Sequence, residues 1–204
     1  SCAFFGGRAE AQTAGWQPET RLTNDEANSS APPNNCKYIA VDHDGNVHVV
    51  WLDERDRNYE IYHKMRTNGF WSADERLTFA PGTSARPNLA FDASGLVHLA
   101  WNDERDGNME IYHRFWTEGA WSRETRVTDT PGDSFASSIV AVGDTVHMVY
   151  METIDTTTQI VYRTSRGFDW SAPLFLTNEA TGKRMVPTIA AGPDGSIHVA
   201  WWDT

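Results

Sequence analysis

Cysteine, positive charge and long apolar runs are all scarce in this chain of 204 residues, and each scarcity narrows what the protein does. The two cysteines, Cys2 and Cys36, neither demand an oxidising compartment nor exclude one. Their pairing requires the N-terminal strand to lie beside the first inner strand, which the sequence leaves open. Lys and Arg number 17 against 28 Asp and Glu, a formal net charge of −11. That balance argues against non-specific binding to DNA or RNA, which needs a basic stripe, and against an anionic membrane surface. No run reaches the roughly 18 consecutive apolar residues that mark a membrane-spanning helix.

What the chain has instead is a period. Four segments align: Val47-His48-Val49-Val50-Trp51, Val97-His98-Leu99-Ala100-Trp101, Val146-His147-Met148-Val149-Tyr150 and Ile197-His198-Val199-Ala200-Trp201. Their last residues lie 50, 49 and 51 positions apart. A fixed period of about 40–50 residues indicates a propeller or array, and units of this size bury a face only against their neighbours.

Within the second repeat, Asn88 to Phe91 is short and apolar, Asp92-Ala93-Ser94-Gly95 turns, and Leu96 to Trp101 reads as a strand of continuous hydrophobic character. A polar loop over Asn102–Asn108 follows. Met109 to Phe115 then alternates in character, Thr117 to Ala120 turns, and Trp121 to Thr128 completes the unit. Short strands punctuated every 8–12 residues or so mean an all-β fold, and four per repeat selects the propeller. The four are named A to D in chain order. Asp and Gly at the A–B turns (Asp42 to Gly45, Val142 to Asp144, Pro193 to Gly195) suit tight hairpins. D strands open at Trp16, Trp71, Trp121 and Trp170 and carry Leu-Thr or Val-Thr: Leu22-Thr23, Leu77-Thr78, Val127-Thr128 and Leu176-Thr177.

The expected architecture is an all-β, single-domain β-propeller over 1–204, with repeats at about 16–70, 71–120, 121–169, and 170–204 plus 1–15. The chain opens with C and D strands and closes with A and B. Pairing the two terminal strands gives four blades and removes exposed sheet edges; the alternative is part of a larger propeller. Residues 1–15 read either as an ordered edge strand or as the end of a signal peptide with Ala9-Glu10-Ala11 at the cleavage site.

Two B–C segments are nearly identical: Trp51-Leu52-Asp53-Glu54-Arg55-Asp56-Arg57-Asn58-Tyr59-Glu60-Ile61-Tyr62 and Trp101-Asn102-Asp103-Glu104-Arg105-Asp106-Gly107-Asn108-Met109-Glu110-Ile111-Tyr112. With the preceding Asp-Gly-x-Val-His-x-x-Trp pattern, residues 16–204 resemble the repeats of secreted bacterial sialidase-like propellers. The resemblance implies the fold and a secreted or cell-surface location; its members include glycosidases and lectins. The sialidase Asp box, Ser-x-Asp-x-Gly-x-x-Trp, is degenerate here: the turns read Arg66-Thr67-Asn68-Gly69-Phe70-Trp71 and Thr164 to Trp170. The Phe-Arg-Ile-Pro motif is absent, and no Tyr nucleophile is marked beside a Glu.

A residue type present in every repeat serves the architecture first. His48, His98, His147 and His198 occupy one position per B strand and spread around the ring, whereas a zinc ion needs its ligands within about 2.1 Å. They read as buried imidazoles hydrogen-bonded between blades, and His63 and His113 on C strands read likewise. Antiparallel alternation places the B–C and D–A loops on one face. That face gathers Asp53, Arg55, Asp103 and Arg105 with Lys37, Arg86 and Arg184 at the A-strand entries. Arginine suits bidentate capture of a carboxylate or phosphate, so the face is a candidate site for an acidic sugar. A carboxylate pair does glycoside chemistry only at a suitable separation. The competing reading, which recurrence favours, makes these groups salt bridges between blades. Trp116 and Trp202 lack an aromatic counterpart in every repeat and are candidate sugar-stacking residues, although tryptophan more often packs. Asn24 to Asn35, the longest D–A loop, lies on this face; it holds the sequon Asn28-Ser29-Ser30, meaningful only in a eukaryotic secretory host.

No catalytic set is complete, no metal-ligand set is marked and no cofactor is implied; whether Ca²⁺ fills an acidic turn stays open. The functional expectation is a secreted or cell-surface, non-catalytic module that recognises a glycan or protein ligand, without nucleic-acid binding or membrane insertion. A sialidase-like glycoside hydrolase and an oligomerising scaffold are the alternatives.

Overall fold

A computed structural model describes residues 19–31, 37–178 and 181–204, and the backbone of 3–4. The described residues form twenty strands and no helix. β1 (Ala3–Phe4) and β2 (Thr20–Arg21) precede the first blade, which comprises β3 (Ser29–Ser30), β4 (Ile39–Val41), β5 (Val47–Asp53), β6 (Glu60–Thr67), β7 (Phe70–Trp71) and β8 (Glu75–Arg76). The second runs β9 (Ser84–Phe91), β10 (Val97–Asp103), β11 (Glu110–Thr117), β12 (Ala120–Trp121) and β13 (Thr125–Arg126). The third runs β14 (Ser134–Val142), β15 (Thr145–Ile154), β16 (Thr157–Arg166), β17 (Asp169–Trp170) and β18 (Leu174–Phe175); β19 (Arg184–Ala191) and β20 (Ile197–Asp203) follow.

Each blade is an antiparallel A-B-C-D meander, as the repeats predict. The D strand is not one run. It is two short pieces on the same C strand, β7 and β8 on β6, β12 and β13 on β11, β17 and β18 on β16. At each break a serine (Ser72, Ser122, Ser171) accepts the C-strand amide through its hydroxyl, at 3.1 Å, and donates to the next carbonyl. The recurrent Leu-Thr pair has two jobs. Leu22, Leu77 and Val127 are buried, while the hydroxyls of Thr78, Thr128 and Thr177 take the amides of Ile61, Ile111 and Ile160. The B strands carry the core: Trp51, Trp101 and Tyr150 are the largest fully buried side chains, and Trp101 and Tyr150 lie in clusters shared between adjacent blades.

The A strands bulge. Register slips between Ala100 and Asn102, Phe135 and Ser138, and Met185 and Thr188. Arg86, Ala136 and Val186 occupy the left-handed region there, with φ of 54°, 54° and 50°. Non-glycine residues hold such a conformation only where the surroundings impose it. The stretch expected as one long D–A loop, Asn24 to Asn35, divides at this point. Ser29 and Ser30 pair with Asp53 and Leu52 as Ser84 and Ala85 pair with Asp103 and Asn102, so the A strand has already begun. From Ser30 to Ile39 the chain takes nine steps where Ala85 to Leu89 takes four. Five more positions thus separate these two pairs in the first blade; 32–36, including Cys36, lie outside the described residues.

The histidines correct another expectation. They pair within a blade, B strand to C strand, rather than between blades. His48 Nδ1 meets His63 Nε2 at 3.1 Å and His98 Nδ1 meets His113 Nε2 at 3.0 Å; His147 meets the Tyr162 hydroxyl at 2.6 Å. An A–B turn aspartate anchors the outer nitrogen, Asp92 to His98 at 3.0 Å and Asp42 to His48 at 3.4 Å. Burial, and then the neighbouring His98, push the His113 imidazole well below its ordinary pKa.

β1 pairs with β2 in the register of a C–D pair: Ala3 faces Arg21 as Tyr62 faces Arg76 and Tyr112 faces Arg126. An edge strand among residues 1–15 is thus present at 3–4, whereas Cys2, the Ala9-Glu10-Ala11 segment and Trp16 lie outside the described residues. Among the described residues β1 pairs only with β2 and β20 only with β19.

Two outcomes follow for stability. A Cβ on Gly132 would lie 2.0 Å from the Thr153 carbonyl oxygen, whereas one on Gly107, with φ of +92°, meets nothing within 4 Å. Gly132→Ala is expected to cost about 1–3 kcal/mol or more by forcing the D–A loop off the third B–C hairpin, and Gly107→Ala about 1 kcal/mol. Urea denaturation in which Gly132→Ala costs no more than Gly107→Ala contradicts this. Because the native pKa of His113 is depressed, its contribution is fully present above the unfolded value of about 6.5 and is lost as pH falls below it. Between pH 7.5 and 5.5 the wild type should lose stability with a slope of up to about 1.4 kcal/mol per pH unit for each proton taken up. His113→Gln should flatten that slope.

Candidate functional site

The face carrying the B–C and D–A loops is built on a buried carboxylate that ends each B strand. Asp53 is fully buried and accepts from the Ser29 hydroxyl (3.0 Å), the Trp51 indole (2.9 Å), the Arg55 amide (3.1 Å) and the Arg55 guanidinium at 2.8 and 2.7 Å. Asp103 repeats the set with Ser84, Trp101 and Arg105. Burial pushes the Asp53 carboxyl up, but the bonds from Arg55, Trp51 and Ser29 outweigh it and bring the pKa to about 2. The arginines are equally committed. Arg55 lies 4.3 Å over the Tyr62 ring and reaches Asp74 at 3.0 Å; Arg105 lies 4.2 Å over Tyr112 and reaches Glu124 at 2.5 Å. Tyr62 and Tyr112 in turn donate to Asp56 and Asp106. Asp53, Arg55, Asp103 and Arg105 therefore form ion pairs within a blade, where the sequence led us to expect bridges between blades.

Adjacent blades are joined by other groups. The Asn58 amide donates to Glu60 and to the Gly82 carbonyl, and that of Asn108 to Glu110 and to the Thr130 and Gly132 carbonyls. Nearer the axis, Asn88 donates to the Ser137 carbonyl at 2.8 Å. Lys37 extends Nζ to the Ile139 carbonyl, 2.8 Å away on the third blade's A strand, and its backbone pairs with Asn88 and Leu89 on the second. Burial holds the Lys37 ammonium below the usual lysine pKa.

The third blade departs from this plan. Its B strand has Glu152 in the place of Asp53 and Asp103 and runs on to Ile154, the loop is a short hairpin around Asp155 and Thr156, and no arginine replaces Arg55. Glu152 accepts from the Ser134 hydroxyl at 2.6 Å. Burial raises its pKa, the Ser134 and Thr130 hydroxyls pull the other way, and the nearby Glu110 carboxylate adds to the rise. Glu110 is fully buried and one of its oxygens, Oε2, has no partner among the described residues. Sequence reasoning passed over this pair. The signal was the replacement of Asp-x-Arg-Asp by Glu152-Thr153-Ile154-Asp155.

The remaining candidates separate. Arg184 is buried at the first position of its A strand, where the other blades have Ser29, Ser84 and Ser134; it reaches Asp203 at 3.3 Å and the Thr181 carbonyl at 2.6 Å. Trp116 sits at the far end of β11, next to the C–D turn and away from this face. It packs against His48, His63 and Trp121. Trp202 is 60% exposed on β20. Arg86 stands apart. It is half-buried in the left-handed bulge of β9, and among the described residues nothing pairs with its guanidinium. On the same face, a shallow cleft of about 440 Å³ is lined by Gly82, Glu104, Gly107, Asn108, Met109 and Asp133. Among the described residues no group of three His, Cys, Asp or Glu is disposed to hold a metal ion, and no helix is long and apolar enough to cross a membrane.

Neither a protein-family model nor a curated protein matches the chain. Solved structures do. It is similar to a protein of unknown function from Dyadobacter fermentans DSM 18053 (TM-score 0.62, 13% identity, 81% of this chain and 61% of that one). It is also similar to an ulvan lyase of polysaccharide lyase family PL25 bound to GlcA(1-4)Rha3S (TM-score 0.57, 14% identity, 80% and 47%). A third is the GH93 α-L-arabinofuranosidase of Fusarium graminearum with arabinobiose (TM-score 0.56, 15% identity, 84% and 59%). The chain spans less than two thirds of each, and at these identities the likeness is one of fold: all-β, of the propeller class.

The clamp makes a direct prediction. Arg105→Met leaves Asp103 buried without its counter-charge, a change that typically costs about 3–5 kcal/mol. The double variant Arg105→Met/Asp103→Leu should recover much of that. A loss below about 1 kcal/mol in urea unfolding would instead class the pair with exposed salt bridges.

Proposed function

We propose that this protein is a non-catalytic propeller module, secreted or displayed at a cell surface, that recognises a glycan through an acidic group at the mouth of the A-strand ring. Arg86 carries the proposal. The carboxylates and guanidiniums of the two Asp-x-Arg loops are consumed within their blades, whereas Arg86 presents five donors that nothing in the described residues accepts. A guanidinium of this kind binds a carboxylate or sulfate bidentately. Two of the structures similar in fold carry saccharides, GlcA(1-4)Rha3S in one and arabinobiose in the other, which supports carbohydrate as the ligand class. The saturated aspartates support recognition over turnover, because a glycosidase needs one carboxylate free to attack or to activate water.

One observation favours the second reading, a sialidase-like glycoside hydrolase: Glu152, its pKa raised by burial, lies near Glu110, and its loop has no counterpart of Arg55. Both are buried, which counts against their reaching a substrate.

A glycan array spanning neutral, uronate-bearing, sialylated and sulfated sugars, followed by calorimetry, separates the two. The expected result is binding of an acidic glycan that Arg86→Ala weakens about 10- to 100-fold, the loss of one charge-assisted interaction of about 1.5–3 kcal/mol. The melting temperature should barely move, since Ala136 already holds the same φ of 54°. Undiminished binding by Arg86→Ala sinks the proposal. So does hydrolysis of an aryl glycoside that Glu152→Gln abolishes.

A further inference from the structure

The histidine pairs of the first two blades match until their outer end. In the first blade Asp42 meets His48, His48 meets His63, and His63 Nδ1 meets Glu75 Oε2 at 3.1 Å, so a carboxylate closes the line at each end. Glu75 stands opposite His63 on β8, with its side chain half-exposed. The His63 hydrogen bond outweighs burial and holds the Glu75 carboxyl below the usual carboxylate range; the Trp121 indole and Arg114 add to the effect. The second blade has Asp92, His98 and His113 in the same places, but Thr125 opposite His113. The third has Leu174 opposite Tyr162, whose hydroxyl is already bonded to His147.

Threonine is too short to stand in for the glutamate. His113 is fully buried, and its Nδ1 has no partner among the described residues; neither has Thr125 Oγ1 nor Trp170 Nε1, and all three atoms are buried. Buried polar groups are rarely left so, at a cost of about 1–3 kcal/mol each. The rest of the setting is intact. Trp170 stands edge-on to His113, with ring centroids 5.1 Å apart, as Trp121 stands to His63 at 5.2 Å. Arg163 bonds the Val127 carbonyl at 2.9 Å as Arg114 bonds that of Leu77. The second blade thus keeps the surroundings of a carboxylate and supplies none of its own.

We propose that the seam between the second and third blades binds a small monocarboxylate where Glu75 sits one blade earlier, and takes up one proton with it. The proton follows from counting donors. Asp92 only accepts, so His98 Nε2 carries a hydrogen; His98 Nδ1 then accepts from His113 Nε2, and His113 Nδ1 is left with a lone pair. A bound carboxylate also only accepts. Three bonds in line between two such groups need three protons, and two neutral imidazoles bring two. The first blade meets the same requirement between Asp42 and Glu75. The Trp170 N–H and the Thr125 hydroxyl serve the ligand's oxygens. Around His113 the charged and titratable groups are His98 on β10, with Asp92 behind it, and Arg163 on β16; β13 and β17 contribute the neutral Thr125 and Trp170. No residue of the loop face around Arg86 takes part, so the inference is independent of the glycan reading.

Acetate, the end of a glutamate side chain, is the probe, titrated into the whole protein against chloride at constant ionic strength. It should shift the NMR signals of the Trp170 indole N–H and the His113 ring nitrogens saturably. Acetate stays ionised between pH 7.5 and 5.5, and burial, then His98, keeps free His113 neutral there. One proton per acetate therefore tightens binding about tenfold for each unit the pH falls. Thr125→Glu, which restores the first blade's carboxylate, should abolish the response, and Glu75→Thr should make the Trp121 indole respond as Trp170 does. Signals that acetate moves no more than chloride overturn the inference, as does a response that survives Thr125→Glu or an affinity independent of pH. If Thr125→Glu does not fold, a Trp121 indole that ignores acetate in Glu75→Thr overturns it instead. Water-to-indole cross-relaxation at Trp170 that saturating acetate leaves undiminished does so too, by showing a buried water as the sole occupant.

Discussion

The structure depends on a carboxylate placed where water cannot reach it. A buried anion is tolerated only when its lone pairs are filled, and Asp53 fills them from three directions: a serine on the A strand, the indole two residues back, and an arginine in the B–C loop. Satisfying one group thereby fixes the inner strand against its neighbour, sets the tryptophan's rotamer and folds the loop onto Tyr62. Asp103 does the same one blade later. Where the loop lacks an arginine the solution changes. Glu152 takes the Ser134 and Thr130 hydroxyls while burial raises its pKa, and Asp203 draws on Arg184 from the A strand. Variation around a common constraint is where this scaffold has room for function.

Much of this was legible in the sequence because it is local or periodic. The fifty-residue period, the B strands with their continuous apolar character and the Asp-Gly turns depend on neighbours a few residues away. The Asp, Arg and Trp columns announced themselves by recurrence. Partner choice did not. His48 and His63 are fifteen residues apart and meet only because the B–C register is what it is. Lys37 looked like a free cation, yet its acceptor belongs to a strand a hundred residues on. The side of the molecule on which Trp116 falls follows from the direction of β11, and a recurrence count carries no direction. The left-handed residues were the least visible of all, since Arg, Ala and Val occupy those places and glycine, the usual signature, is absent.

The face that carries the B–C and D–A loops thus has an uneven character. Around the first two blades its charges are locked in pairs, which makes them scaffold. Between the second and third, a buried carboxyl pair lies beneath loops held together by Asn108 and by the close approach of Gly132 to Thr153. Arg86 sits on a backbone held by the bulge, and among the described residues nothing pairs with its guanidinium.

The reach of Lys37 across the inner strands has a topological consequence. Its ammonium is tied to the Ile139 carbonyl of the third blade and its backbone to Asn88 and Leu89 of the second, so one residue of the first blade fastens the inner strands of three blades together.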